Sequence, residues 1–183
     1  RRLHLLMEKQ HNRGQDGAGI ATVKFDMPPG VPYLRRLRST KHNAIERIFD
    51  EVTRDLAPLH RNGGAVDLDQ MKHRCRFLGE VYIGHLRYGT HSGNSVANCH
   101  PLIRKDNTAS RNLALAGNFN MTNASALFDQ LLRYGLDPIG ESDTQIVLEK
   151  ISHFLEVEHR LIEHACGEGS LQNLSGRALA AEI

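Results

Sequence analysis

An α+β fold is the class this sequence predicts, and three observations predict it. Helical and strand-like periodicities both occur, they do not follow the strict strand–helix–strand alternation of a parallel sheet, and the carboxy-terminal third reads as helix. The 183 residues fit one domain or most of one. A chain of this length buries roughly 70% of its accessible surface, enough for a hydrophobic core without disulfide or metal staples. With 40% hydrophobic and 24% charged residues, the composition is that of an ordinary globular protein.

Leu3, Leu6, Met7 and Gln10 fall at helical spacing, so residues 3–11 predict a short helix running into a polar loop. Ala18-Gly-Ile-Ala-Thr-Val23 is apolar and partly β-branched, hence a buried strand, and Pro28, Pro29, Gly30 and Pro32 end it. Tyr33 to Arg38 alternates loosely, as a more exposed strand would. Ile45, Ile48, Phe49 and Val52 mark one face of a helix of about three turns. Residues 61–78 fix no element, with Asn62-Gly-Gly64 as a break; Glu80–Tyr88 and Asn112–Asn118 predict two further strands. Ala124, Leu127, Phe128, Leu131 and Leu132 predict a helix that Gly135 stops. A longer helix follows Ser142-Asp-Thr-Gln145, a capping box, with Val147, Ile151, Phe154, Leu155, Leu161 and Ile162 on one face.

Composition also excludes function classes. Twenty-three Lys+Arg against 21 Asp+Glu leave +2, too balanced for a nucleic-acid partner. No apolar run reaches the ~18–20 residues of a membrane span, and no signal-peptide pattern opens the sequence. Three scattered cysteines, Cys75, Cys99 and Cys166, argue against a disulfide framework and for a reducing, cytoplasmic location. The sequence opens on Arg1 and closes on Leu179-Ala-Ala-Glu-Ile183, which reads as a helix without a stop signal, so a fragment lacking parts at both ends is expected.

Polar clusters sit where helices and strands end: Gln10-His-Asn-Arg-Gly-Gln-Asp-Gly-Ala-Gly19, Gly84-His-Leu-Arg-Tyr-Gly-Thr-His91, Ala116-Gly-Asn-Phe-Asn-Met-Thr-Asn123 and Glu141-Ser-Asp-Thr144. Such loops are where scaffolds place binding groups. Each also has a structural explanation. The glycines at 14, 17 and 19 fit a tight turn, and their order is not that of a dinucleotide loop. Arg87 fits a half-buried ion pair, Asn118, Asn120 and Asn123 fit turns and caps, and Asp143 fits a helix cap. The 11 histidines lack zinc-ligand spacing, so no metal is expected. Cys75 lies in Lys72-His-Arg-Cys-Arg76, whose charges would lower a thiol pKa, and Cys99 adjoins His100, but neither has an orienting third group in sequence.

Taken together and in order, the four clusters resemble class II glutamine amidotransferases. The first is similar to the Q-H-R-G-Q-D-x-A-G segment of the amidophosphoribosyltransferase branch, with Asn12 as an extra residue; Gln15 favours that branch. The second resembles G-H-x-R-[YW]-x-T, the third L-x-H-N-G-x-[LI]-x-N, and the fourth S-D-[ST], so the resemblance spans residues 10 to 144. It implies an amino-terminal-nucleophile hydrolase, a four-layer αββα sandwich incomplete at both ends. Residues 1–183 would be a partial glutaminase domain, with a phosphoribosyltransferase domain beyond it. The implied reaction is hydrolysis of the L-glutamine amide, supplying ammonia to phosphoribosyl pyrophosphate to form phosphoribosylamine in purine synthesis.

The family's nucleophile is a cysteine at the mature amino terminus, and an internal cysteine cannot replace it because it has no α-amine to act as its base. The resemblance makes the Asn118 side chain and the Phe119 N–H the oxyanion donors and Arg13 the loop arginine near the thiol. Arg87 would hold the substrate α-carboxylate, Asp143 the α-ammonium, and Thr90 and His91 would line the pocket. No cofactor is implied in this domain; Mg²⁺ is a candidate for the phosphoribosyltransferase domain, and the complete protein is expected to be a homo-oligomer. One departure bears on the site. The family's His-Asn-Gly is Gly117-Asn118-Phe119 here, so Phe119 would be strained if that position needs φ > 0, or the loop is drawn differently. The alternatives are a glutaminase serving another acceptor and a non-catalytic glutamine-binding domain.

Overall fold

Gly17–Val23 (β1) is the strand around which the first of two compact units, residues 1–101, is built. The computed structural model describes residues 1–60, 67–89, 95–140 and 142–166. β1 pairs antiparallel on one side with Leu34–Ser39 (β2), Gly19 opposite Arg38, and on the other with Val81–Arg87 (β3), Gly17 opposite Arg87. It is buried on both faces, as its unbroken apolar run predicts.

The two faces of β1 are covered differently. Ala18 and Ile20 point into a core with Met7, Ala44, Ile45, Ile48 and Phe77. That core is supplied by Arg2–Lys9 (α1) and Ala44–His60 (α2). α1 lies directly on β3, where a Cβ at Gly84 would be 2.8 Å from Leu3 Cδ1 and 2.9 Å from Met7 Sδ. α2 has 17 residues, longer than the three turns its apolar face marks. On the opposite face, β1 presents Gly17 and Gly19: a Cβ at Gly19 would stand 1.9 Å from the His100 carbonyl oxygen, and one at Gly17 2.9 Å from the Ser39 carbonyl oxygen and 3.4 Å from Cys99 Sγ.

Within residues 61–78, where the sequence fixes no element, Leu68–Arg74 (α3) is helical. Asp67 caps it by accepting from the Asp69 N–H, 3.0 Å. Lys24 closes its other end. This lysine is 4% exposed, and its Nζ donates to the Lys72 and Cys75 carbonyls, at 2.5 and 2.7 Å. Burial pushes its pKa below the ordinary lysine value, with Arg35 adding to the effect. The Asn62-Gly-Gly64 break lies outside the described residues.

The second unit, residues 102–183, holds Leu102–Arg104 (β4) and Leu113–Leu115 (β5), paired antiparallel with Leu102 opposite Leu115. The strand expected over Asn112–Asn118 is therefore only three residues long. β4 supplies three partners and no more, so the backbone from Ala116 onward leaves the ladder and becomes loop. Ala124–Arg133 (α4) ends as expected at Gly135, φ +78°, where the Gly135 and Leu136 N–H groups bond back to Leu132 and Leu131. These are the paired bonds of a Schellman motif.

Asp143–Cys166 (α5) packs on β4, β5 and α4. Its buried side is Thr144, Ile146, Leu148, Glu149 and Ser152, and Glu149 is paired with Arg104 on β4. Phe154, Leu155 and Leu161, which the periodicity placed on the inner face, are exposed. The buried residues of this 24-residue helix all lie between Thr144 and Ser152 among its described side chains. No described helix is long and apolar enough to cross a membrane. The architecture is α+β with small antiparallel sheets.

Candidate functional site

The first two polar clusters meet within the first unit. After α1 the chain makes a 3₁₀ turn over His11–Arg13, and Arg13 is exposed on it. Gly14 then passes so close to the end of β3 that a Cβ would be 2.8 Å from the Arg87 carbonyl carbon and oxygen. Two hydrogen bonds fasten the loop there. The Asp16 N–H donates to the Arg87 carbonyl at 3.0 Å, and Asp16 Oδ2 accepts from the Gly89 N–H at 2.7 Å. Asp16 thus holds the chain leaving β3 at Gly89; Thr90 and His91 lie outside the described residues. It lies in the first polar cluster, where sequence reasoning assigns it no role.

Arg87 is 7% exposed at the last position of β3, and its Nη1 donates to the Asn98 carbonyl at 2.5 Å. A guanidinium fastened at one corner keeps its plane fixed, which suits recognition of a planar carboxylate. This partner is a backbone carbonyl, which side-chain patterning could not have found.

The third and fourth clusters meet within the second unit. Ser142 caps α5, its Oγ accepting from the Gln145 N–H at 3.3 Å. The Gln145 side chain also runs along the helix, its Nε2 donating to Glu149 Oε1 at 2.7 Å. Asp143 reaches across to the loop that follows β5, its Oδ2 accepting from the Met121 N–H at 2.6 Å. The structure therefore brings Asp143 to the loop carrying Asn118 and Phe119, and Asp143 does more than open its own helix. Asn118 is exposed, and Phe119 is 40% exposed. Among the described residues, the non-glycine positions with positive φ are Asp26 and Asn43, so Phe119 carries no such strain. Its ring folds back over Gly117, where a Cβ would be 2.2 Å from Phe119 Cε1. The loop is drawn so that the glycine precedes the asparagine and makes room for the ring.

Two of the internal thiols, those of Cys75 and Cys99, are unsuited to attack. Cys75 is 2% exposed and Cys99 is fully buried. Burial pushes both thiols above the ordinary cysteine value, and Asp55 adds to the rise at Cys75. The lowering expected from the basic neighbours of Cys75 is thus outweighed; of the nearby cations only Lys24 opposes the rise, and weakly. Among the described residues, no three or more His, Cys, Asp and Glu side chains are grouped to hold a metal. A cleft lined by Glu8, His11, Gly14, Gln15, His42 and Asn43 adjoins the first loop but takes in neither Arg13 nor Arg87.

Comparison with known proteins gives one consistent result. No family model matches the chain. The amidophosphoribosyltransferase of Pseudomonas aeruginosa is 31% identical over 153 residues, covering 83% of this chain and 24% of the relative. That of Bacillus subtilis is 32% identical over 149 residues, covering 79% and 25%. A solved structure, glutamine phosphoribosylpyrophosphate amidotransferase from B. subtilis complexed with ADP and GMP, matches with a TM-score of 0.51 at 26% identity, over 79% of this chain and 24% of that one. A second, described as the allosteric regulatory enzyme of purine biosynthesis, matches with a TM-score of 0.51 at 30% identity. The chain spans about a quarter of the length of these relatives.

Proposed function

We propose that this chain, homologous to the amino-terminal region of amidophosphoribosyltransferases, is a glutaminase domain that releases ammonia from L-glutamine. The observation that carries this reading is the pairing of the clusters in a chain of that ancestry: the Arg13 loop is stitched to Arg87, and the Asn118 loop to Asp143. In this reading the fold is the four-layer sandwich of amino-terminal-nucleophile hydrolases, and the ammonia goes to phosphoribosyl pyrophosphate on a phosphoribosyltransferase domain.

The chemistry divides among the residues as follows. A thiolate at a mature amino-terminal cysteine attacks the side-chain amide carbon, and its α-amine passes the proton to the leaving nitrogen. Ammonia departs, a thioester remains, and water cleaves it to glutamate and free thiol. The Asn118 amide and the Phe119 N–H donate to the oxyanion, a role that demands donors fixed before reaction. Arg87 holds the α-carboxylate, Asp143 accepts from the α-ammonium through the oxygen not held by Met121, Thr90 and His91 line the pocket, and Arg13 lies near the thiol. Burial of Cys75 and Cys99 supports keeping them out of this scheme.

The test uses the protein with its naturally processed amino terminus and a diazoketone analogue of glutamine, which alkylates the attacking thiol. The label should map to an amino-terminal cysteine. A label on Cys75 or Cys99, or L-glutamine left unbound and unhydrolysed, would overturn the reading. Glutamine binding without label or hydrolysis would mark the non-catalytic binding domain instead.

A further inference from the structure

The 95–101 segment is the feature that the proposed chemistry leaves unused. It crosses the face of β1 where Gly17 and Gly19 present no side chain, and the close approach of Gly19 to the His100 carbonyl shows backbone resting directly on the sheet. Ser95 starts it, its Oγ accepting from the Ala97 N–H at 3.1 Å, and a 3₁₀ turn over Val96–Asn98 follows. Side chains from both flanking strands then hold it. From β2, Arg38 Nη1 donates to the Ala97 carbonyl at 3.0 Å and to the Cys99 carbonyl at 2.7 Å. From β3, Arg87 Nη1 donates to the carbonyl between them, that of Asn98, and His85 Nε2 meets His100 Nδ1 at 3.3 Å. Cys99 Sγ donates to the Ala18 carbonyl beneath, at 3.3 Å.

We propose that Arg38 is a positioning residue for glutamine recognition, fixing the Arg87 guanidinium through the Ala97–Cys99 backbone. The inference rests on the reading that Arg87 holds the substrate carboxylate. Its physical basis is the planarity of the peptide unit. The Asn98 backbone carbonyl shares a rigid peptide plane with the Cys99 N–H, which donates to the Val96 carbonyl at 3.1 Å. Arg38 holds the carbonyls of the two adjoining planes, those of Ala97 and Cys99, so the turn that aims the Asn98 carbonyl at Arg87 Nη1 is held from both sides. Arg38 itself sits opposite Gly19, two positions along β1 from the Gly17–Arg87 pair, on the far side of the central strand. It reaches Arg87 only by way of the segment that crosses between them.

The experiment compares two ligands by titration calorimetry: L-glutamine, and 4-aminobutanamide, which is glutamine without its α-carboxylate. Arg38→Gln should weaken L-glutamine by about tenfold or more, the scale of a misdirected charge-assisted hydrogen bond, and leave 4-aminobutanamide within about twofold. Arg38→Lys, which keeps the charge but offers no planar fork, should weaken L-glutamine by less, and it serves where Arg38→Gln does not fold. Arg87→Lys, measured alongside, should abolish the preference for L-glutamine. If both ligands weaken alike in the Arg38 variants, or neither does, Arg38 is a structural residue and the inference is overturned while the carboxylate role of Arg87 stands. If Arg87→Lys keeps the preference for L-glutamine, that role fails and the inference falls with it.

Discussion

Gly19→Ala is the sharpest perturbation the structure offers. The added Cβ would stand 1.9 Å from the His100 carbonyl oxygen and 2.9 Å from its carbonyl carbon, against an ordinary contact of at least 3.4 Å. The obstacle is backbone, which cannot swing aside as a lysine end would, so the 97–101 segment must lift by about 1.5 Å or β1 must sink into its own core. Lifting the segment breaks the Arg38 bonds to Ala97 and Cys99 and the Arg87 bond to Asn98. Overpacking costs about 1–3 kcal/mol, and each broken hydrogen bond to a charged donor adds about 1–2 kcal/mol unless water replaces it. A loss of about 4–9 kcal/mol follows where water replaces none of the three bonds, which for a chain of this length lowers the melting temperature by roughly 8–36 °C. Thermal unfolding followed by circular dichroism measures it, with Gly140→Ala as control. At Gly140 the nearest atom to a new Cβ is Gln145 Cγ at 3.8 Å, so the control should melt within about 2 °C of the parent. A Gly19→Ala protein melting with its parent would refute the claim that backbone rests on this glycine.

Three further outcomes are expected. Asn118→Ala should lower glutaminase turnover by roughly 10²–10³-fold with far less effect on glutamine affinity, the pattern of a lost oxyanion donor; an unchanged turnover would remove Asn118 from that role. Cys75 and Cys99 should resist a thiol-specific disulfide reagent in the folded protein and react in denaturant, and fast labelling of either under native conditions would contradict their burial. Glu80 is held below the ordinary carboxylate pKa first by the hydrogen bond from Lys72 and then by the Phe25 N–H. Its stabilisation is therefore present above the ordinary carboxylate range and lost as pH falls through the lower native value. Glu80→Gln should flatten that part of the stability-against-pH curve, and a curve unaltered in the acid range would show that the pair contributes nothing.

What the sequence determined by itself was local. The apolar, partly β-branched run of Ala18–Val23 marked β1 as a buried strand, Ser142 and Gly135 marked a helix start and a helix stop, and the order of four polar clusters pointed to a glutamine-handling ancestry. These signals are legible because they depend on neighbours in sequence: a period, a cap, a φ that only glycine adopts freely. Tertiary structure decided the rest. β5 stops at Leu115 because β4 has only three residues to pair with it, and Phe154 and Leu161 are exposed because the buried stretch of α5 ends at Ser152. Gly14, Gly17 and Gly19 read as a turn, yet Gly14 and Gly19 admit another stretch of backbone to within contact. Arg38 donates to the carbonyls of Ala97 and Cys99, and Arg87 donates to that of Asn98. Every residue has a backbone carbonyl, so no pattern of side chains can reveal which one an arginine will find; only the path of the folded chain decides it.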